Sequence, residues 1–252
     1  MTRFSFFRDL TETIPGRVLV TLMTAIGIVV PVALTSVHTD LASAHTLNTP
    51  IDDAIAFLPW TVYIYSWVYT SMLLPLFVVR DGALFRRVVA AYVLVGAQSV
   101  VMYWVFPVTS LYLRPDLSGL DTTVFHNWAM RLTYWVDPPA NLFPSLHVGT
   151  ALISALAAYK ARPLYFWLSL PIVLGICVTI CTTKQHYIAD GILALVVVWV
   201  AWKFTLASYR SEDIPASTRA LTWRGPVAYF AFHCSFYGVV YAIFLMVGDL
   251  PW

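Results

Sequence analysis

Six stretches of this chain contain no Asp, Glu, Lys or Arg: 18–37, 54–79, 88–113, 163–183, 191–202 and 226–248, the last interrupted only by His233. Most approach or exceed the roughly 20 residues that a helix needs to cross a bilayer core. Residues 141–160, NLFPSLHVGTALISALAAYK, add a seventh apolar run with a histidine at its mouth. Only 11% of the chain is charged and its mean hydropathy is +0.75, against about 25% charged in a soluble domain. The gaps between the runs are short. The sequence therefore predicts an all-α, polytopic membrane bundle forming a single domain over 1–252. It has a six-helix core, whose motif-bearing part lies at about 55–206, and a seventh, C-terminal transmembrane helix at about 226–248.

Cations orient such a bundle, because Lys and Arg concentrate in cytoplasmic loops. A cytoplasmic N-terminus and alternating helices put Arg3, Arg8, Arg17, Arg80, Arg86, Arg87, Lys160, Arg162, Lys203, Arg210, Arg219 and Arg224 inside. Only Arg114, Arg131 and Lys184 are left outside, where most of the acidic residues also fall, Asp137, Asp190 and Asp249 among them. Ala42-Ser43-Ala44 resembles a signal cleavage site, but the preceding run is about twice a usual signal core, which favours a retained first helix. A net charge of +2 with topology-bound Arg clusters gives no reason to expect nucleic acid. Cys177 and Cys181, one turn apart, are expected to pack in the core. Short loops and the absence of N-x-[ST] sequons point to a bacterial inner membrane. The oligomeric state is not legible.

The alternating topology brings three polar stretches to the outer surface: YWVFPVTSLYLRPD (103–116), FPSLH (143–147) and TICTTKQHYIAD (179–190). His186 and Asp190 stand at i and i+4, on one helix face. A carboxylate there can accept one ring N–H, fix the tautomer and raise the basicity of the other nitrogen. Pro144 and Ser145 read as a helix start, whose dipole and free N–H groups suit an anion, with His147 in the first turn. Arg114 and Lys184 add cations. The set is a candidate phosphate site: His186, Asp190 and His147 for chemistry, and Arg114, Ser145 and Lys184 for binding. A His–His–Asp metal site competes with it. Asp190 is better placed to orient His186, however, and nearby cations disfavour a metal, so neither metal nor cofactor is expected. His38, His45, His126 and His233 are read as wetted helix-end residues. Tyr103, Trp104, Tyr112, Trp128, Tyr134 and Trp135 are read as an interfacial belt. Segment 117–137 is read as an amphipathic piece on the membrane, with Phe125, Trp128, Leu132 and Trp135 on one face.

Pro144-Ser145-Leu146-His147 and His186-Tyr187-Ile188-Ala189-Asp190 resemble the second and third signature motifs of the type 2 phosphatidic acid phosphatase superfamily, and Leu113-Arg114-Pro115 resembles the end of the first. The resemblance implies that His186 attacks phosphorus to form a phosphohistidine, that Asp190 orients it, and that His147 protonates the leaving alcohol. It implies a lipid phosphate or phospholipid substrate, no metal, and a lipid phosphatase as the activity. The alternative is a phospho-headgroup transferase like the inositol phosphorylceramide synthases. A non-catalytic transporter or scaffold, or a vanadate site of the haloperoxidase kind, is less favoured.

Two departures bear on the choice. The family's first motif has a Lys where this chain has Pro107, and its third has an Arg where this chain has Ile180. Lys184 is the candidate replacement for one of them. FPVTSLYLRP, NLFPSLHVG and TKQHYIAD look closer to the transferase branch. Fewer cations suit a singly charged phosphodiester better than a phosphomonoester dianion.

Overall fold

The computed structural model describes residues 3–210 and 221–248, with Arg219 and Asp249 outside the described residues. Among these its regular structure is all helix, with no strand. The helices are α1 (Arg3–Thr11), α2 (Ile14–His38), α3 (Pro50–Ala54), α4 (Val62–Tyr65), α5 (Val68–Ser71), α6 (Leu74–Val78), α7 (Gly82–Val105), α8 (Phe125–Val136), α9 (Leu146–Ala161), α10 (Pro163–Thr182), α11 (Ile188–Thr205) and α12 (Arg224–Val247). Five are long and apolar enough to cross a membrane: α2, α7, α10, α11 and α12.

Local chemistry sets the ends. Thr13 caps α2 by accepting the Gly16 N–H at 3.2 Å, and Asp81 caps α7 by accepting the Leu84 N–H at 2.8 Å. α7 stops at Val105 rather than running to 113, because Phe106 precedes Pro107 and proline drives its predecessor out of the helical region. α9 stops for the same reason at Arg162, before Pro163. At 16 residues α9 is shorter than the five spans.

The run 54–79 does not form the single helix its apolarity suggests. It breaks into a 3-10 turn at Pro59–Thr61 and then α4, α5 and α6. Pro75 has no N–H to give. The hydroxyls of Thr61, Ser66 and Ser71 bond back to the carbonyls three residues earlier, and the N–H groups of Trp67, Tyr69 and Thr70 also bond three residues back. Side chains that compete for backbone acceptors in this way tighten and interrupt the α ladder.

α9 is central and packs on α5, α6, α7, α10 and α11. Its Gly149, Ala151, Ala155, Ala157 and Ala158 are buried, small enough for the neighbouring backbones to approach closely. The cationic end is tied together: Arg17 donates to the carbonyls of Val79 and Arg80, Arg87 to that of Thr205, and Lys160 to those of Ala207 and Tyr209. The motif stretches lie at the opposite end of the same helices.

α12 packs mainly against α6 and α8, touches residues of the α4–α5 segment, and is exposed over most of its length. Its His233 is not wetted: it is buried, stacked on Trp67 with ring centroids 3.5 Å apart, and bonded through Nδ1 to Thr70 Oγ1 at 2.9 Å. α8 buries Phe125 and Trp128 with Leu132 against the core, but turns Trp135 outward. Tyr103 and Trp128 of the expected belt are likewise buried, the Tyr103 hydroxyl donating to Pro144 O at 2.8 Å.

Candidate functional site

The site forms where the C-terminal end of α7, the N-terminal ends of α9 and α11 and two loops converge. Ser145 is the N-cap of α9: its hydroxyl accepts the Val148 N–H at 3.4 Å, and its own N–H donates to Asp190 O at 3.0 Å. The second bond pins the start of α9 to the start of α11. His147 then projects from the first turn of α9. At α11, Asp190 does two things with one oxygen. Its Oδ2 accepts the Tyr187 N–H at 2.9 Å, capping the helix, and accepts from His186 Nδ1 at 3.1 Å. Asp190 is fully buried and His186 nearly so.

Those bonds fix the ring states. Nδ1 of His186 carries the proton donated to Asp190, so Nε2 holds a lone pair. That Nε2 lies 3.0 Å from His147 Nδ1, which must donate in turn. The far nitrogen of His147, Nε2, lies 3.5 Å from Asp137 Oδ2. The same Asp137 oxygen accepts from the buried Tyr65 hydroxyl at 3.0 Å. The result is a row of four groups, Asp137, His147, His186 and Asp190, with a carboxylate at each end.

Arg114 is in the loop after α7, at the same cavity. Its Nε donates to Ser110 Oγ at 3.1 Å, and its Nη2 donates to Asp137 O at 2.8 Å and to the Gln185 side-chain oxygen. It stacks on Tyr134 at 4.4 Å, leaving Nη1 with one long bond to Tyr134 O at 3.5 Å. Burial lowers the guanidinium pKa and Asp137 opposes that shift, so the group stays a cation.

These side chains line one end of a cavity of about 600 Å³. Arg114, Asp137, His147, Gln185 and His186 form its polar end; Ile28, Val29, Val32, Val68 and Met72 are among its apolar walls. A molecule with a charged head and a hydrocarbon body matches that division. α2 supplies much of the apolar wall and is tied in by Asn141 Nδ2, which donates to Val32 O at 2.7 Å and to Ser36 Oγ.

Four of the six residues singled out in the sequence meet here: His147, His186, Asp190 and Arg114. Asp190 stands behind His186 without lining the cavity, and the other two do not line it either. Lys184 sits in a left-handed turn (φ 55°) and buries its ammonium against Asp52 O at 2.7 Å, so the cation is used to hold the 45–58 loop rather than to face the cavity. Asp52 completes that clamp by accepting the Ile188 N–H at 2.9 Å. Ser145 is spent on the cap and on Asp190. Asp137, Gln185 and Tyr65 were not singled out. Asp137 alone had a signal, as a carboxylate shortly before the FPSLH stretch.

The PAP2 superfamily model matches residues 35–204, two thirds of the chain, and the protein belongs to that superfamily. Its members are phosphoesterases and phosphotransferases, which gives this membrane protein an enzyme function of the phosphatase or phosphotransferase type. No curated protein and no solved structure matches the chain.

Proposed function

We propose that the protein cleaves a phosphoester of a lipid phosphate through a phosphohistidine on His186, and that it does so at the extracytoplasmic face. The row Asp137–His147–His186–Asp190 carries this reading. The lone pair on His186 Nε2 attacks phosphorus, and Asp190 holds the opposite N–H and offsets the positive ring that forms. At 3.0 Å the two imidazoles leave no room for phosphorus between them, so substrate must part them, taking the place of the His147 Nδ1–H bond. That frees His147 to act as the acid: with a second proton on Nε2, facing Asp137 as counter-charge, it gives its Nδ1 proton to the leaving oxygen and is left a neutral ring. Arg114 neutralises the transferring group. Water then gives a proton to the neutral His147, attacks phosphorus, breaks the N–P bond and returns His186 with its lone pair.

The apolar flank of the cavity supports a lipid substrate, since its walls can take an acyl chain while the head reaches the histidines. The outward orientation rests on the cations gathered at the opposite end.

Transfer to a second lipid alcohol is favoured by one observation. An apolar cavity of about 260 Å³, bounded by α4, α8 and α12, shares Tyr69 and Val136 with the site cavity, and it could seat an acceptor chain beside the reacting group. One mass-spectrometry assay tests both readings. Purified protein and His186→Ala are given lipid phosphates, isoprenyl diphosphates and phospholipids, with and without diacylglycerol, ceramide or polyols. Free phosphate with a dephosphorylated lipid supports hydrolysis. A new phospholipid without free phosphate supports transfer. Equal turnover by His186→Ala refutes both.

A further inference from the structure

The site is short of anion donors, and the structure points to where another comes from. Lys184 is committed to Asp52, and Pro107 and Ile180 offer nothing. Three of the nearby backbone donors are taken. The N–H groups of Gln185 and His186 both donate to Ile180 O at 3.0 Å, and that of Ser145 donates to Asp190 O. The Gln185 side chain remains. It is buried, 1% exposed, and lines the cavity beside His186. Its oxygen accepts from Arg114. A guanidinium can only donate, so this bond decides which end of the amide faces Arg114. The other end, Nε2, is buried with no hydrogen-bond partner among the described residues. An orphaned NH₂ at such a place is costly unless something accepts from it.

We propose that Gln185 Nε2 is a phosphoryl-binding donor, and that the pair Arg114–Gln185, one cation and one neutral donor, matches a singly charged phosphodiester, which narrows the substrate of that site from a lipid phosphomonoester to a phospholipid and so favours the transfer reading. This rests on the reading of His186 as the phosphoryl acceptor. The charge argument is direct. Around the row of histidines Arg114 is the one fixed cation, and the carboxylates Asp137 and Asp190 are paired with the two rings, so nothing there neutralises a second negative charge on the substrate. A neutral donor binds a phosphoryl oxygen without demanding a second negative charge.

Full-length protein in detergent tests this with orthovanadate, which adopts the five-coordinate geometry of a phosphoryl group under attack. Binding is titrated calorimetrically for wild type, Q185E, Q185A and H186A, with melting curves as the control for folding. Q185E keeps an acceptor for Arg114 and removes the donor. The expected result is saturable binding to wild type, weakened about tenfold to a hundredfold in both Q185E and Q185A, and lost in H186A. Q185E binding as wild type does would show that Gln185 only holds Arg114, and would overturn the inference while leaving His186 in its role. Vanadate bound equally by H186A and wild type, or not bound by wild type, would overturn both. A second measurement needs no variant: wild type should cleave bis(4-nitrophenyl) phosphate at least about tenfold more efficiently than 4-nitrophenyl phosphate. The reverse preference would overturn the charge matching.

Discussion

Asp190→Asn is the change whose consequence follows most closely from the geometry. One carboxylate oxygen takes two donors, His186 Nδ1 at 3.1 Å and the Tyr187 N–H at 2.9 Å, and the second oxygen is buried without a partner. An asparagine cannot reproduce this. If its oxygen takes the occupied position, its NH₂ is buried where nothing accepts, at about 1–3 kcal/mol. If it is flipped, the NH₂ faces two donors, and His186 must switch tautomer, which puts the proton on the attacking nitrogen. Either way the ring that becomes positively charged loses its counter-charge. Carboxylate-to-amide changes at comparable His–carboxylate pairs slow turnover by about 10⁴. We expect at least about a thousandfold loss in kcat, about 4 kcal/mol in the barrier, with stability lowered by only about 1–3 kcal/mol. Rapid-quench turnover, on the lipid the panel assay identifies, measures the first; thermal unfolding in detergent measures the second. Folded Asp190→Asn turning over within about tenfold of wild type would refute the orienting role.

Other expectations follow from the same contacts. His147→Gln should slow substrates with poor leaving groups far more than nitrophenyl esters, and an equal loss on both would remove it as the acid. Arg114→Lys keeps the charge but cannot make the fork to Asp137 O and Gln185, so kcat/KM should fall about tenfold or more; unchanged kinetics would detach Arg114 from the site. Lys184→Met should lower stability by about 1–3 kcal/mol through the lost bond to Asp52 with kcat nearly unchanged; a collapse of kcat without loss of stability would return Lys184 to the phosphate.

The helical class was legible from uncharged runs of span length, and the His186–Asp190 contact from their spacing, although His186 precedes α11 and Asp190 reaches back to it from the helix's first turn rather than sharing a helix face. Other features depended on backbone detail. The 54–79 run reads as one span by hydropathy, yet Pro75 and three hydroxyls that bond backwards break it into short helices. Charge made Lys184 the attractive phosphate ligand, but a left-handed turn at that residue sends its ammonium to Asp52. Its neutral neighbour Gln185 lines the cavity instead, and nothing in TKQH says which of the two side chains turns inward. Asp137 reaches His147 from a loop separated from it in sequence. His233 looked solvated near the membrane surface because its partners, Trp67 and Thr70, belong to a distant segment.

The central claim is that phosphorus becomes bonded to His186. The most direct measurement quenches the enzyme in alkali during turnover, which preserves phosphohistidine, and sequences its peptides by mass spectrometry. The account predicts a phosphoryl adduct on His186 of wild type, accumulating in His147→Gln if that variant slows the second step, and absent from His186→Ala. An adduct on His147, or an active enzyme that carries none on His186 at any time in the turnover, would contradict it.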